Sequence, residues 1–396
     1  MIQEPIRLLV VTREHGLDRL YGLGRSIGRV CEELRSVGYA IHYLSLDETQ
    51  GFHHRWDRLI RPFLSYFGSA RGLVSQTLTQ GAAACRVALK EKPDLIWLQD
   101  PLMAAGFRLC LLAHGRLKSP APIIVTQHGL GSYSWAVLQD GIELNNRHYR
   151  RLLDWEGRQL NWAKQIVFPS KAARDAATRD FNLTQPPPDW TVIEHGLETP
   201  PAIDRDSARQ ALNIDSGQIM VLAMGRLAPV KNYRVLIDAV ATLQGEGLNL
   251  QLVIAGAGDI PQFYEEMELA RLSPQPILGH RSDTADLLVA CDVYVSSCEK
   301  ESFGLANIEA LAAGAPSIFA SSGASQEIGG TGAWLIPMQH SHLVRALRIL
   351  CTQPSMRDFW HTLALENASQ RASWHSVSLV YDALFKSILS SSNDQP

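Results

Sequence analysis

Ile6-Arg7-Leu8-Leu9-Val10-Val11-Thr12 is a short apolar run of strand length. It is followed by Ser26–Val37, where apolar residues recur at helical spacing until Gly38, a natural helix stop. A second apolar run, Tyr39–Leu46, comes next. Strand, helix, strand in that order reads as a parallel crossover, since an antiparallel pair needs only a tight turn. The rhythm continues. Leu95–Leu98 follows Lys92-Pro93-Asp94, and Ile123–Thr126 and Ile166–Pro169 are two further strand-length runs. The expected fold class is α/β, with a doubly wound parallel sheet.

The rhythm breaks at Gln185-Pro186-Pro187-Pro188, then Val192-Ile193, and again at Pro200-Pro201. A second series then begins: Ile219–Met224, Leu250–Ala255, Pro276–Leu278, Val293–Ser296 and Ser317–Ala320. A chain of 396 residues suits two domains. The reading is a first domain over 1–189, a second over 190–372, and a terminal segment over 373–396. Ligands of such sheets bind at the carboxyl ends of the strands. The expected site is therefore a cleft between two domains of this kind.

Composition excludes several classes. Apolar residues make up 46% and charged residues 19%, as in a protein with ordinary buried cores. The net charge of −3 gives no reason to expect nucleic acid. Its distribution is uneven: residues 1–189 hold 24 basic and 18 acidic side chains, and the remainder 13 and 22. A basic first half suits an anionic acceptor or surface, although chance asymmetry between two domains gives the same counts. Six scattered cysteines lack metal-ligand spacing and fit reduced thiols in a cytoplasmic protein. Leu8–Val11 is too short for a secretory leader, and nothing approaches the ~20 apolar residues of a membrane span. The stretch 53–73 interleaves Trp56, Ile60, Phe63, Leu64 and Phe67 with Arg55, Arg58, Arg61 and Arg71. It reads either as a basic amphipathic helix for peripheral contact with the cytoplasmic membrane face or as a helix packed on the first sheet. Pro62 interrupts a continuous helix.

Two segments carry the chemistry. In Ser297-Cys298-Glu299-Lys300-Glu301-Ser302-Phe303-Gly304-Leu305-Ala306-Asn307-Ile308-Glu309-Ala310, a buried strand gives way to a polar loop and then a helix. A helix start presents free N–H groups and partial positive charge, which suits a diphosphate. Gly304 allows close backbone approach. Glu309 can accept from ribose hydroxyls, and Glu301 can hold a sugar. On spacing alone, a solvated loop charge and an ordinary helix-surface carboxylate are the better reading. The second segment is Met224-Gly225-Arg226-Leu227-Ala228-Pro229-Val230-Lys231-Asn232. Arg226 offers a planar fork and Lys231 a compact charge, two cations able to neutralise a departing diphosphate. Near a helix start such cations oppose the dipole unless an anion meets them.

Together the two segments resemble the retaining glycosyltransferases of family 4, with the GT-B fold of two Rossmann-like domains facing across a cleft. The resemblance covers nearly the whole chain. It implies that Glu301 and Glu309 match the paired glutamates of the donor site, and that Arg226 and Lys231 match its phosphate-binding cations. Gly225 and the backbone around Phe303, Gly304 and Leu305 belong to the same donor site. Leu252–Gly258 resembles the strand and glycine turn of the donor domain. Leu278-Gly279-His280-Arg281 resembles the loop past the nucleobase, so His280 and Arg281 join the donor-binding set. Asp292 matches an acidic landmark ahead of the Glu301 strand. Ser373-Trp374 resembles the start of a helix crossing back to the first domain. In that domain, Val125-Thr126-Gln127-His128-Gly129 resembles a strand end whose histidine faces the sugar, which gives His128 a catalytic part beside Glu301, Arg226 and Lys231. Ser170 is read as a helix N-cap and His195 as a hinge residue.

The chain departs from the pattern in two places. Tyr21-Gly22-Leu23-Gly24-Arg25 replaces a glycine pair, so Gly22 and Gly24 are the expected donor contacts of the first loop. Gln99-Asp100 replaces a more usual His-Asp. Asp204-Arg205-Asp206 has the form of a metal-binding pair but precedes a helix far from the donor motifs, so capping is the better account. No metal or other cofactor is expected. The co-substrate is a nucleotide-diphosphate sugar, and the acceptor a glycan or lipid-linked molecule of polysaccharide synthesis. A sugar-nucleotide epimerase or a non-catalytic binding protein of the same fold are the alternatives.

Overall fold

The computed structural model describes residues 4–15, 22–49, 64–139, 141–198, 203–274 and 276–393. The chain forms two compact units. One comprises Met1–Gly196 with Ala372–Pro396, and the other Leu197–Arg371.

The first unit is built on β1 (Ile6–Val11), β2 (Tyr39–Leu44), β3 (Leu95–Leu98), β4 (Ile123–Thr126), β5 (Gln165–Phe168) and β6 (Trp190–Val192), in the order β2-β1-β3-β4-β5-β6. Every pairing is parallel, with Leu8 opposite both Ile41 and Leu95. β3 and β4 are buried at every residue, as expected for strands covered on both faces. Helices Arg71–Glu91 and Pro101–Ala113 cross with almost no gap. A Cβ on Gly106 would lie 1.9 Å from the Leu78 carbonyl oxygen, and one on Gly81 2.0 Å from that of Met103.

The terminal helix Trp374–Asn393 packs on this same unit. Tyr381 and Phe385 close on Trp97 at centroid distances of 4.8 and 5.7 Å. Tyr39 donates its hydroxyl to Asp382 at 2.8 Å.

Two expectations for this unit need correction. The boundary falls after Gly196, not after Asp189. The proline run that suggested the break precedes β6, and β6 pairs with β5 through Ile166 and Trp190. Trp190 also packs on Phe168 at 4.9 Å, which keeps it in the first core. Secondly, Gly22 and Gly24 are not in a loop but in the first turn of helix Gly22–Ser36, and Gly24 is buried. That helix starts four residues earlier than its apolar spacing suggested.

The basic stretch 53–73 is described only from Leu64 onwards. Leu64 and Phe67 lie in the core with Leu152, and Phe67 stacks against Trp155 at 5.2 Å. The described apolar side chains of this stretch therefore serve the unit's own packing. Among the described residues no helix is long and apolar enough to cross a membrane.

The second unit contains β7 (Ile219–Met224), β8 (Leu250–Ala255), β9 (Ile277–Gly279), β10 (Val293–Ser296), β11 (Ser317–Ala320) and β12 (Trp334–Ile336), ordered β12-β11-β10-β7-β8-β9 and all parallel. β12 has three residues, too short to register as a periodic run. Asp204 caps helix Arg205–Ala211 through the Ser207 amide at 2.8 Å, as its sequence position suggests. Asp292 is structural. Its carboxylate takes Arg205 at 2.7 Å, Arg209 at 3.0 Å and the Met220 amide at 2.8 Å, tying the starts of β7 and β10 together.

The helix crossing gives a direct stability test. Gly106→Ala places a methyl against backbone that has no rotamer to yield, at an expected cost of about 3 kcal/mol. Gly28→Ala, in helix Gly22–Ser36 with nothing within 4 Å of the new methyl, is expected to be neutral or stabilising by about 0.5–1 kcal/mol. Urea unfolding of both variants measures the contrast, and equal effects would remove the crossing as its cause.

Candidate functional site

In the second sheet, β7 runs towards β8 and β9 on one side and has β10 on the other. The strand order reverses between β7 and β10. Open α/β sheets bind ligands at such a reversal, beyond the carboxyl ends of the strands. Both chemistry-bearing segments leave the sheet here.

The loop after β7 is pinned by backbone. Gly225 donates its amide to Ala255 at 2.9 Å, and Leu227 donates to Ala257 at 2.8 Å. Gly225 has φ +143°, and a Cβ on Gly256 would lie 1.7 Å from the Gly225 carbonyl oxygen. The two loops therefore meet as bare backbone, which leaves Arg226 exposed at the tip. Tyr233 reaches back to the Gly225 carbonyl at 3.0 Å. Burial raises the pKa of that phenol, so it stays a neutral donor.

Lys231 ends the turn Pro229–Lys231. Its Nζ lies 2.7 Å from Oε2 of Glu301, and both side chains are less than a quarter exposed, at 20% and 14%. Ser297 donates its hydroxyl to the Lys231 carbonyl at 2.7 Å. Burial by itself lowers the lysine pKa, but the Glu301 charge, followed by Cys298, outweighs it, and the net shift is upward. Lys231 is an ammonium at any working pH.

Gly304, with φ +88°, starts helix Leu305–Ala312. A Cβ there would meet the Asn307 amide at 2.8 Å and Glu301 Cγ at 3.0 Å, so only glycine fits. The Leu305 and Ala306 amides open the helix, where no earlier turn supplies acceptors. Phe303 is 2% exposed and lies in the core. Its expected contribution is thereby restricted to backbone. Glu309 sits half-buried on the same helix. Ala324 donates its amide to the Glu301 carbonyl at 3.0 Å, so the Glu301 loop is held from both sides.

The geometry brings Gly225, Lys231, Glu301 and Gly304 together, with Arg226 on the pinned loop. His280 and Arg281 follow β9, two strands away from β7. His280 is exposed, and Arg281 is held by Asp283, with Nε 2.8 Å from Oδ1. Tyr233, Ser297 and Asn307 did not stand out in the sequence, because each acts through a backbone or buried contact rather than a charge. Asn307 accepts from the Tyr294 hydroxyl at 3.2 Å and fixes the helix start on β10. Among the described residues no three metal-ligating side chains cluster.

In the first unit, the order reverses between β1 and β3. Gln99 leaves β3 and His128 leaves the neighbouring β4. His128 Nε2 lies 2.8 Å from Gln99 Oε1, and its ring stacks on His195 with centroids 6.4 Å apart. Trp374 approaches the other ring of that pair at 6.0 Å, giving His195 a packing partner on each side. Burial, then electrostatic repulsion from His195 when it is protonated and from Arg13, presses His128 down to about 3, and burial presses His195 to about 4. Both rings are neutral at pH 7. Nearby, Glu156 is buried and accepts from the Tyr133 amide at 2.6 Å and the Ser134 amide at 2.9 Å. Burial raises its carboxyl to about 7. Ser170 accepts from the Ala173 amide at 3.0 Å, a plain N-cap.

Comparison with known proteins agrees with this layout. A family model described as glycosyl transferases group 1 matches residues 204–364, and one described as glycosyltransferase family 4 matches residues 21–199. An uncharacterised glycosyltransferase of Methanocaldococcus jannaschii is 26% identical over 227 residues, 54% of this chain and 57% of that protein. The lipopolysaccharide core biosynthesis mannosyltransferase of Rhizobium meliloti is 27% identical over 181 residues, 43% of this chain and 51% of that one. The chain thus spans little more than half the length of these curated relatives. The crystal structure of Anabaena HepE in complex with UDP-glucose has a TM-score of 0.71 at 15% identity, over 96% of this chain and 100% of that one. At that identity the likeness is one of fold.

The depressed histidines yield a pH test. The unfolded chain protonates an imidazole below about 6.5, whereas folded His195 resists protonation until about 4. Stability held by neutral His195 is therefore lost as pH falls through that window. The stability of the natural chain relative to His195→Gln should drop on acidification by up to about 1.4 kcal/mol per pH unit. Glu156, present in both proteins, cancels. Urea unfolding between pH 7 and pH 4 checks this, and a difference independent of pH would refute it.

Proposed function

Because this chain belongs to the family 4 glycosyltransferases of the GT-B fold, we propose that it moves a sugar from a nucleotide-diphosphate sugar to a glycan or lipid-linked acceptor. The observation that carries the reading is the meeting of Lys231 and Glu301 at the reversal between β7 and β10. Residues 70 positions apart converge where a diphosphate would find fixed cations and helix-start amides.

In this proposal Arg226 and Lys231 take the diphosphate oxygens. Their charge offsets the negative charge that develops as the nucleotide leaves, without reorganisation at the moment of reaction. The Leu305 and Ala306 amides add the positive end of a helix dipole. Glu301 balances Lys231 and supplies acceptor oxygens to sugar hydroxyls. Glu309 is assigned to the ribose. Gly225 and Gly304 let the backbone approach the ligand closely. No nucleophile is assigned to the reaction. Retention of configuration follows from family membership as an expectation. The first unit is proposed to bind the acceptor, with His128 as a neutral hydrogen-bonding group, while Gly22 and Gly24, in the first turn of helix Gly22–Ser36, are assigned to the donor phosphate. An envelope glycan is supported by the described role of the Rhizobium meliloti relative in lipopolysaccharide core synthesis. Peripheral membrane contact through the 53–73 stretch is a further part of the proposal, carried by Arg55, Trp56, Arg58 and Arg61, which lie outside the described residues, while Leu64 and Phe67 are spent on internal packing.

The donor class is tested by thermal shift against UDP, GDP, ADP and their sugars. One nucleotide at a hundredfold excess over its Kd should stabilise the protein by about 2.7 kcal/mol. Indifference to all of them would sink the donor-site assignment. With the stabilising donor in hand, Lys231→Ala and Glu301→Ala should each lower turnover by about a hundredfold or more, measured as nucleotide release with the acceptor present. Turnover within a few-fold of the natural chain would remove the two residues from the mechanism.

A further inference from the structure

Gln99 is a buried carboxamide with an unusual economy of bonds. Its backbone amide is fixed to β1 through the Val11 carbonyl at 3.0 Å. The residue is 4% exposed. Among the described residues its side chain makes one hydrogen bond, from Oε1 to His128 Nε2 at 2.8 Å, while its Nε2 meets no partner. Buried amides are as a rule satisfied at both ends, and a buried unmet donor is costly. A glutamine retained only for packing would be replaced at no loss by an apolar residue of the same size. Gln99 instead commits its carbonyl to a single imidazole.

That commitment has a chemical consequence. A neutral imidazole carries one N–H and one lone pair, and the group bonded to one nitrogen decides which is which. A carbonyl oxygen only accepts. The ring proton of His128 therefore sits on Nε2, and the lone pair on Nδ1. The stacked ring of His195 restricts rotation that would exchange the two nitrogens.

We propose that Gln99 is a positioning residue, whose carbonyl locks His128 as the Nε2–H tautomer and leaves Nδ1 to accept a hydrogen bond from a hydroxyl of the bound sugar or acceptor substrate. The functional half of this statement rests on the glycosyltransferase reading above. The tautomer half stands on the first unit alone. His128 is then a reader of hydroxyl donors and not a proton donor.

The test uses the full chain with 15N-labelled histidine, with the His128 signals assigned by their loss in His128→Gln. The natural chain should show the Nε2–H tautomer in its ring 15N shifts and couplings. Gln99→Met keeps the volume and removes the carbonyl, and should abolish that single-tautomer signature. Gln99→Glu restores an accepting oxygen and should restore it. Turnover in Gln99→Met should fall by about tenfold or more, with the donor KM within about twofold, and recover in part in Gln99→Glu. Unchanged His128 signals in Gln99→Met overturn the proposal, as does unchanged turnover once the tautomer is lost. If no nucleotide sugar is turned over by the natural chain, the function proposed above fails, and the nitrogen spectra still decide whether Gln99 sets the tautomer.

Discussion

The ion pair between Lys231 and Glu301 is the interaction on which the second unit's site depends. Two opposite charges withdrawn from water are worthwhile only if each finds a partner, because either one alone would be left desolvated. The pair solves this while keeping both charges at the carboxyl end of the sheet. It also sets a condition on any ligand. In the proposed function a diphosphate at Lys231 would join a glutamate already there, so a second cation would be needed to balance the added charge. Arg226, on the neighbouring pinned loop, is placed to supply it.

Backbone economy makes this arrangement possible. The β7 and β8 loops touch through Gly225 and Gly256 without an intervening side chain. Gly304 performs the same service between Glu301 and Asn307. Each glycine sits where a Cβ would push apart the groups that must converge. Tyr233 and Ser297 then fasten the Gly225 and Lys231 carbonyls from behind. The charged side chains are thereby carried on segments whose backbones have little freedom, which is what fixed electrostatics requires.

Much of this was legible in the sequence. Strand and helix alternated cleanly, and ten of the twelve strands among the described residues were apparent as apolar runs. β6 and β12 were not: the proline run ahead of Trp190 looked like a break, and Trp334–Ile336 is a short run that was not singled out. The charged and glycine positions proposed for the donor stood out through their order and surroundings, which carry the resemblance; their spacing alone did not single them out. Their supports were hidden. Asn307 reads as an ordinary helix residue until Tyr294 is seen to donate to it. Gly22 and Gly24 looked like loop residues because glycine disfavours helix interiors. In a first turn that penalty is small, and the amides there have no helical acceptor to lose.

The two units share a topology but use it differently. Both sheets reverse order beside the strand that opens them, β1 in one and β7 in the other. At the second reversal stand an arginine, a lysine and two glutamates. At the first stand Gln99 and two imidazoles whose burial keeps them uncharged. The difference suits what the proposed function asks of each position. A diphosphate is bound through charge, and fixed cations suit it. A hydroxyl is bound through direction, since it donates along one line and accepts along others. For that task a neutral ring with a fixed tautomer is better than a charge. A formal charge beside His128 would favour anions, whereas Gln99 and His128 together impose geometry at little electrostatic cost.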